Sequence, residues 1–455
     1  MDEVTKENEA APSRINENDL KSPIESADVS SQRVFKKSAP NNKITLYLGS
    51  RDLIISNKSI DKIQGVVYVD PEYLQDKKVF GQVTLTFRYG REDEEVMGLK
   101  FCNEAIMCLA QLYPIHEKAV VEPNTPLQDA LIKRLGPNAH PFTMEVTHLA
   151  PPSVQLVPAK AYNGAPIGTS YDVRAYAAYR ADEKLHRRST VRMGIRVVQL
   201  AAAPPPPSSN VATPCSEGGG GGGEGGGGGG GVALSLSAAA GTGAAPPHAC
   251  VEKPFLLSDG KVHLDAQLDK SIYNHGDSIL VTVSIKNRSS KSVRGIKVFV
   301  VQFVDVCMFS NGKFKNVVAT IDRREESPLG SGTEVTRTFR LNPAKGATKN
   351  WIALEDSYNK SAASLASTVV CNSPEERNVF AIYVSYYVKV KLLISAIGGA
   401  VSLKLPFTLM HSPFDLDMSL STPMAQVYDP LPTNSAEGVK EVEDEDFTIT
   451  TSPGP

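Results

Sequence analysis

A low-complexity tract at residues 201–248 cuts the chain into two halves and constrains its fold more than any other feature. It is built of Ala, Pro and Ser with two glycine runs, 218–223 and 225–231, separated by Glu224. A phosphate-cradling loop would need a strand before the glycines, a helix after them and a closing Lys-Ser/Thr pair, and none is present. The tract therefore reads as a linker. Treated as a flexible coil, about 48 residues have a root-mean-square reach of ~38 Å, enough to join two domains without dictating their angle.

On both sides of the linker, short apolar segments alternate in the two-residue rhythm of strands, with turn residues between them. The first half carries them at 44–48, 65–69, 82–89, 142–146, 153–157, 171–179 and 191–198. The second carries them at 262–268, 278–286, 293–304, 336–341, 379–394 and 401–409. One helix is predicted, over 125–136, with Thr125 as N-cap, Pro126 in the first turn and Gly136 as the stop. Leu127, Leu131 and Leu135 share one side of it, while Lys133 and Arg134 lie toward solvent near its C-terminus, where cations suit the helix dipole. The pattern predicts an all-β fold of two antiparallel β-sandwich domains, with one short amphipathic helix in the first and disordered termini. The expected boundaries are an N-terminal extension 1–33, a first domain 34–199, a linker 200–252, a second domain 253–412 and an acidic tail 413–455.

A chain of 455 residues with 41% apolar content can bury two cores. Its net charge of -2 requires any basic binding surface to be local and argues against nucleic acid as a partner. The polar start and the lack of any apolar run near the ~18 residues of a membrane span lead to the expectation of a cytosolic protein. The six cysteines, Cys102, Cys108, Cys215, Cys250, Cys307 and Cys371, have no metal-ligand spacing and read as reduced thiols. The eight histidines are dispersed, so neither a metal site nor a catalytic set is expected, and the chain reads as a non-enzyme without a cofactor.

Residues 87–101 read as an apolar strand end, a charged loop bracketed by glycines, and a second strand whose rhythm starts with Leu99 and Phe101. The tip, Tyr89, Gly90, Arg91, Glu92, Asp93, Glu94, Glu95, Val96, Met97, Gly98 and Leu99, mixes both charge signs with apolar residues. Taken alone, such a hairpin fits a solvated turn as well as a probe for a partner.

Several segments together resemble the arrestin family: Val34-Phe-Lys-Lys37, Leu48-Gly-Ser-Arg-Asp52, Phe87-Arg-Tyr-Gly-Arg-Glu-Asp93, Asn138-Ala-His-Pro-Phe142, His186-Arg-Arg-Ser-Thr-Val-Arg192 with Ile195-Arg196, Tyr273-Asn-His-Gly276, Leu365-Ala-Ser367 and Leu405-Pro-Phe-Thr-Leu-Met-His411. The resemblance runs from about Val34 to His411 and is nearest to the non-visual, beta-arrestin branch of invertebrates. It implies arrestin-like, immunoglobulin-like sandwiches. It also implies an adaptor that binds activated, phosphorylated G-protein-coupled receptors, ends G-protein coupling, promotes internalisation and scaffolds signalling. By the same resemblance Lys36, Lys37, Arg51, Arg88, Arg91, Lys133, Arg134 and Arg196 contact phosphate, and Arg196 forms a polar core with Asp52 and Glu355. The resemblance also implies that the 89–99 hairpin enters the receptor cavity. Val34, Phe35, Leu127 and Leu131 receive the tail through Phe447, and Lys297 and Lys315 bind an inositol phosphate or phosphoinositide. Clathrin and its adaptor complex are implied partners, and recruitment to the plasma membrane and endocytic vesicles is the implied location.

The chain departs from the family pattern at several points. Glu355 and Ala362 stand where aspartates are usual, Val301 replaces a third basic inositol-phosphate position, and Ile449 replaces the tail arginine. These changes lead to the expectation of a weakened autoinhibitory latch. No acid-terminated clathrin box lies in 412–455. The loop 395–399 is apolar and fits either a plain turn or a bilayer contact. An arrestin-like trafficking adaptor that needs no phosphate is the alternative, although its usual proline-tyrosine motifs are absent after His411.

Overall fold

The computed structural model describes residues 34–56, 59–116, 122–200, 245–255, 258–307, 312–346, 349–357, 364–369, 381–394, 401–411 and 442–443. Strands of the first half are β1 (Phe35–Ser38), β2 (Ile44–Leu48), β3 (Asp52–Ser56), β4 (Ser59–Ile60), β5 (Ile63–Val69), β6 (Lys78–Arg88), β7 (Cys102–Tyr113), β8 (Ala139–Met144), β9 (Val154–Val157), β10 (Ile167–Ala178) and β11 (Val191–Gln199). Two helices interrupt them, α1 (Pro71–Leu74) and α2 (Pro126–Leu135). The second half contributes β12 (His248–Phe255), β13 (Ser258–Leu268), β14 (Ile272–Asn274), β15 (Ile279–Ser289), β16 (Val293–Val306), β17 (Lys313–Leu329), β18 (Glu334–Leu341), β19 (Ile352–Glu355), β20 (Ile382–Ile394) and β21 (Val401–Met410). A short β22 (Val442–Glu443) follows.

Among the described residues these strands make four sheets. The first sandwich pairs a sheet of order β22-β1-β2-β5-β8 with one running β19-β9-β10-β11-β3-β4, on which β6 joins β10 and β7 joins β6. Leu46, Val67, Leu85, Val173 and Ile195 from both sheets meet in its core. The second sandwich pairs β12-β13-β15-β18 with β14-β21-β20-β16-β17 around Leu264, Val283, Val298, Val388 and Leu405. The alternation read from the sequence is what builds these cores. Along β15, Ile279, Val281, Val283 and Ile285 point inward at 0% exposure, whereas Leu280 between them is 39% exposed. Each such inward side chain stabilises by about 1.5–3 kcal/mol.

Among the described residues β19 and the short β22 lie in sheets of the first sandwich although both follow the linker in sequence. β19 belongs to the second half by sequence yet pairs antiparallel with β9 of the first, Ile352 opposite Val157 and Glu355 opposite Val154. Glu355 and Asp356 are thereby carried to the junction of the two sandwiches.

Helix α2 forms as its sequence dictates. Thr125 caps it in a full capping box: Gln128 N–H donates to Thr125 Oγ1 at 3.2 Å and Thr125 N–H donates to Gln128 Oε1 at 2.8 Å. Gln128 is also buried, and its amide donates to the carbonyls of Gly65 at 3.0 Å and Phe142 at 2.9 Å, tying the helix to β5 and β8. Gly136 ends the helix at φ 85°, a conformation that favours glycine. Leu131 packs with Val34, Tyr47, Val66 and Ala139, with Leu127 and Leu135 beside them.

The structure corrects several sequence expectations. β12 starts at His248, within the span assigned to the linker, because His248 to Phe255 pair with β13. After the hairpin the strand begins at Cys102, not Leu99, because 96–99 close a turn through Leu99 N–H to Val96 O at 3.0 Å. β17 was not anticipated, since its outward positions break the apolar rhythm. No helix of the described residues is long and apolar enough to cross a membrane. The extension 1–33, most of the linker, the loop 395–399, Ala362, Phe447 and Ile449 lie outside the described residues.

Candidate functional site

Arg196 sits on β11, which pairs parallel with β3 in a register that sets Arg196 directly opposite Asp52. Its guanidinium clasps that carboxylate in a fork, Nε to Oδ1 at 2.7 Å and Nη2 to Oδ2 at 2.5 Å. The third nitrogen, Nη1, donates to the backbone carbonyl of Asp356 at 3.0 Å, just beyond β19. One arginine thus bonds to the first half through a carboxylate and to the chain of the second half through a carbonyl. Both side chains of the ion pair are largely shielded, 20% and 19% exposed. Burial pushes the Asp356 carboxyl above its ordinary range, against the pull of Arg196, and the charges of Glu355 and Asp52 push the same way as burial.

Glu355 is placed differently from the role implied by the resemblance. No hydrogen bond or ion pair joins it to Arg196 among the described contacts. Its Oε1 instead accepts from the Ser367 amide and hydroxyl, each at 2.7 Å, and lies 3.6 Å from Nε2 of both His275 and His411. Burial opposes its ionisation. The close contact with His411, the nearby charges of His411 and His275, and the Ser367 hydroxyl outweigh that cost and hold the carboxyl below the usual glutamate range. The arginine's contact on this side is the carbonyl of Asp356, a residue the sequence did not single out, next to the one it did. The dispersed histidines, expected to form no set, also converge here: His275 and His411 follow the paired ends of β14 and β21, with ring centroids 4.4 Å apart.

Among the other expected phosphate contacts, Lys36 and Lys37 lie on β1 at the sheet margin beside β22, and Arg51 stacks over Phe35 at 5.6 Å while donating to Gly194 O at 2.7 Å. Arg88 and Arg91 have partners inside the hairpin. Arg88 Nη1 is 2.6 Å from Glu95 Oε1, and Arg91 is bonded to Asp93 and lies 5.2 Å from the Tyr162 ring centroid. Tyr162 Oη in turn accepts from the Glu92 amide at 3.0 Å. The hairpin is therefore held closed by its own ion pairs. Its tip is open: Val96, Met97 and Leu99 are 61%, 100% and 67% exposed. Met97 and Gly98 turn the chain at φ 53° and 79°. Lys133 and Arg134 are exposed on the last turn of α2.

The expected tail-docking group divides. Val34 and Leu131 are already buried beneath α2, at 2% and 5% exposure, so they form packing, not an open groove. Leu127 and Phe35 are partly buried. The tail does reach β1: Val442 and Glu443 pair parallel with Phe35 and Lys36. On the second sandwich, Lys297 stands opposite Lys391 and 3.7 Å from Asp322, while Lys315 stacks toward Phe303. Val301 is buried, so no basic group is available from that position. Lys389 and Lys404, cross-strand partners, were missed together with Lys391. The charge on Lys389 is disfavoured first by burial and then by Lys404, Lys391 and Lys315, the mark of an electropositive cluster. Its signal in the sequence was the strict alternation of lysine with valine and leucine at 388–392 and 403–405.

Sequence comparison agrees with this architecture. The arrestin (or S-antigen) N-terminal domain model matches residues 44–201, and the C-terminal domain model matches 258–414. The chain belongs to the arrestin family. It is 39% identical to an arrestin homolog of Heliothis virescens over 83% of this chain and 90% of the relative. It is 36% identical to arrestin red cell isoform 1 of Oncorhynchus mykiss over 90% of this chain and 91% of that protein. It is also 36% identical to phosrestin-2 of Calliphora vicina, over 83% and 94%.

Proposed function

We propose that this arrestin is a cytoplasmic adaptor that binds activated, phosphorylated G-protein-coupled receptors, ends their coupling to G proteins and promotes their internalisation. The observation that carries it is the double bond of Arg196, to Asp52 and to the Asp356 carbonyl. A phosphate carries about -1.5 to -2 charge and three acceptor oxygens. Arriving at Arg196, it competes with a singly charged carboxylate and a neutral carbonyl for the same guanidinium. Losing the Asp356 carbonyl bond removes the link of Arg196 to the second half and leaves the β19–β9 pairing to hold the junction alone, and that loosening is the switch.

Lys36, Lys37, Arg51, Lys133 and Arg134 supply the approach for a phosphorylated tail. Arg88 and Arg91 join them when the hairpin opens and exchanges Glu95 and Asp93 for phosphate. Val96, Met97 and Leu99 then enter the receptor's cytoplasmic cavity. The Lys297, Lys315, Lys389, Lys391 and Lys404 cluster supports a phosphoinositide contact during recruitment to the plasma membrane. Clathrin and its adaptor complex belong to the internalisation arm, and no catalytic step is assigned.

The test is a pull-down of the full chain on active receptor with and without phosphorylation. Wild type is expected to favour the phosphorylated form, and Arg196→Glu to bind both forms alike. Equal binding by wild type would overturn the proposal.

A further inference from the structure

We propose that His275, Glu355 and His411 form a divalent transition-metal site, zinc by its donor chemistry, that ties the end of β19 to the second sandwich. This assignment is independent of the receptor function. Among the described residues, these three donors all lie within 4.8 Å of one another. Two imidazole Nε2 atoms are each 3.6 Å from the same carboxylate oxygen. Around a tetrahedral zinc with bonds of about 2.0–2.1 Å, neighbouring donors stand roughly 3.3 Å apart. The two imidazole–carboxylate spacings are a few tenths of an ångström from that shell, and all three donors lie within 4.8 Å, so side-chain torsions bring them into it.

The fold explains why the donors meet. β14 and β21 run parallel with Asn274 opposite Met410, so the next residues, His275 and His411, emerge side by side. Glu355 ends β19, whose bridge from Leu354 to Leu365 brings Ser367 against its carboxylate. All three side chains are shielded, at 13%, 13% and 21% exposure for His275, Glu355 and His411. Ser367 Oγ, 2.9 Å from His275 Nε2 and 2.7 Å from Glu355 Oε1, occupies the position of a fourth donor or of the hydrogen bond to a bound water.

Donor type and charge select the ion. Two imidazoles and a carboxylate suit zinc and its first-row neighbours, whereas calcium and magnesium prefer an all-oxygen shell. The junction also gathers the acidic side chains of Asp52, Glu355 and Asp356 around Arg196 and Arg51. Three carboxyls against two guanidiniums leave that set one negative charge in excess, which suits a cation. A metal here would fix the residue preceding Asp356, the residue whose carbonyl caps Arg196.

The experiment titrates chelator-stripped full-length protein with Zn²⁺ by calorimetry and records the visible spectrum with Co²⁺ in its place. Expected are one ion per chain at this site, tetrahedral-type Co²⁺ bands without a thiolate charge-transfer band, and affinity at least ~100-fold weaker in both His275→Ala and His411→Ala. Absence of saturable binding, or zinc affinity unchanged in both variants, overturns the assignment. If the variants fail to fold, the wild-type Co²⁺ spectrum decides: nitrogen- and oxygen-ligated tetrahedral bands uphold it, and thiolate bands or an octahedral spectrum overturn it.

Discussion

Replacing Asp52 by Asn keeps the shape of the side chain and removes the charge that Arg196 clasps through two hydrogen bonds. Taking one partner from a fully buried pair costs ~3–5 kcal/mol. Here both side chains keep about a fifth of their exposure, so water recovers part of the loss and about 2–3 kcal/mol is the expected penalty. The penalty falls on the closed arrangement, in which the guanidinium also reaches the Asp356 carbonyl, and is relieved once the halves separate. At ~1.4 kcal/mol per tenfold change, the closed state is disfavoured about 30- to 150-fold. The assay is the ratio of Kd values for unphosphorylated and phosphorylated active receptor. Asp52→Asn is expected to lower that ratio by up to the same factor, chiefly by tightening binding to the unphosphorylated form. A ratio within about twofold of wild type would refute the latch, because Asn cannot restore the lost charge.

Three further outcomes follow from other parts of the molecule. Gln128→Ala deletes one side of the capping box and two buried amide bonds, and a loss of about 2–3 kcal/mol is expected in denaturant unfolding of the first domain; a loss below about 0.5 kcal/mol would contradict the anchoring role. The carboxyl of Glu355 is depressed in the folded state, so its contribution is present above the unfolded glutamate value and fades as pH falls through the folded one. Glu355→Gln should therefore flatten the pH dependence of stability as pH falls below the ordinary glutamate value, and an unchanged slope would oppose that account. Met97 is fully exposed, so Met97→Asp should leave thermal unfolding unchanged while weakening receptor capture; intact capture would remove the hairpin from the interface.

The sequence made the sheets legible wherever one face was buried. In β15 from Ile279 to Ile285 and in β20 from Ile382 to Leu392 every second residue is apolar and buried, and those strands are expected nearly where they lie. β7 and β17 were harder because their outer faces interrupt the rhythm: β7 exposes Ile106 and Leu109, and β17 carries a polar run across 322–326. Helix α2 announced itself through Thr125, Pro126 and Gly136, yet nothing local showed that Gln128 would turn inward to bond β5 and β8.

At the candidate site, the Arg196–Asp52 pair followed from the resemblance, and the parallel register of β11 and β3 accounts for it physically. The partner across the junction shifted by one residue, because the guanidinium takes the backbone carbonyl of Asp356 and leaves the Glu355 side chain to the histidines. A backbone acceptor leaves no mark in side-chain chemistry. His275 and His411 were invisible as a pair for a related reason: they are distant in sequence and meet through the parallel pairing of β14 with β21.

The most direct test of the latch is charge exchange, measuring the phosphorylation dependence of receptor binding for Arg196→Glu, for Asp52→Arg and for the two combined. Arg196 and Asp52 lie in one sheet, and only the arginine's bond to the Asp356 carbonyl spans the halves, so each single change should abolish most of the dependence, and the double variant should not regain it, because Glu at 196 cannot donate to that carbonyl. A double variant that recovers the phosphorylation dependence of wild type would contradict the account, because it would place the latch in the Asp52 pair and not in the bond to the Asp356 carbonyl.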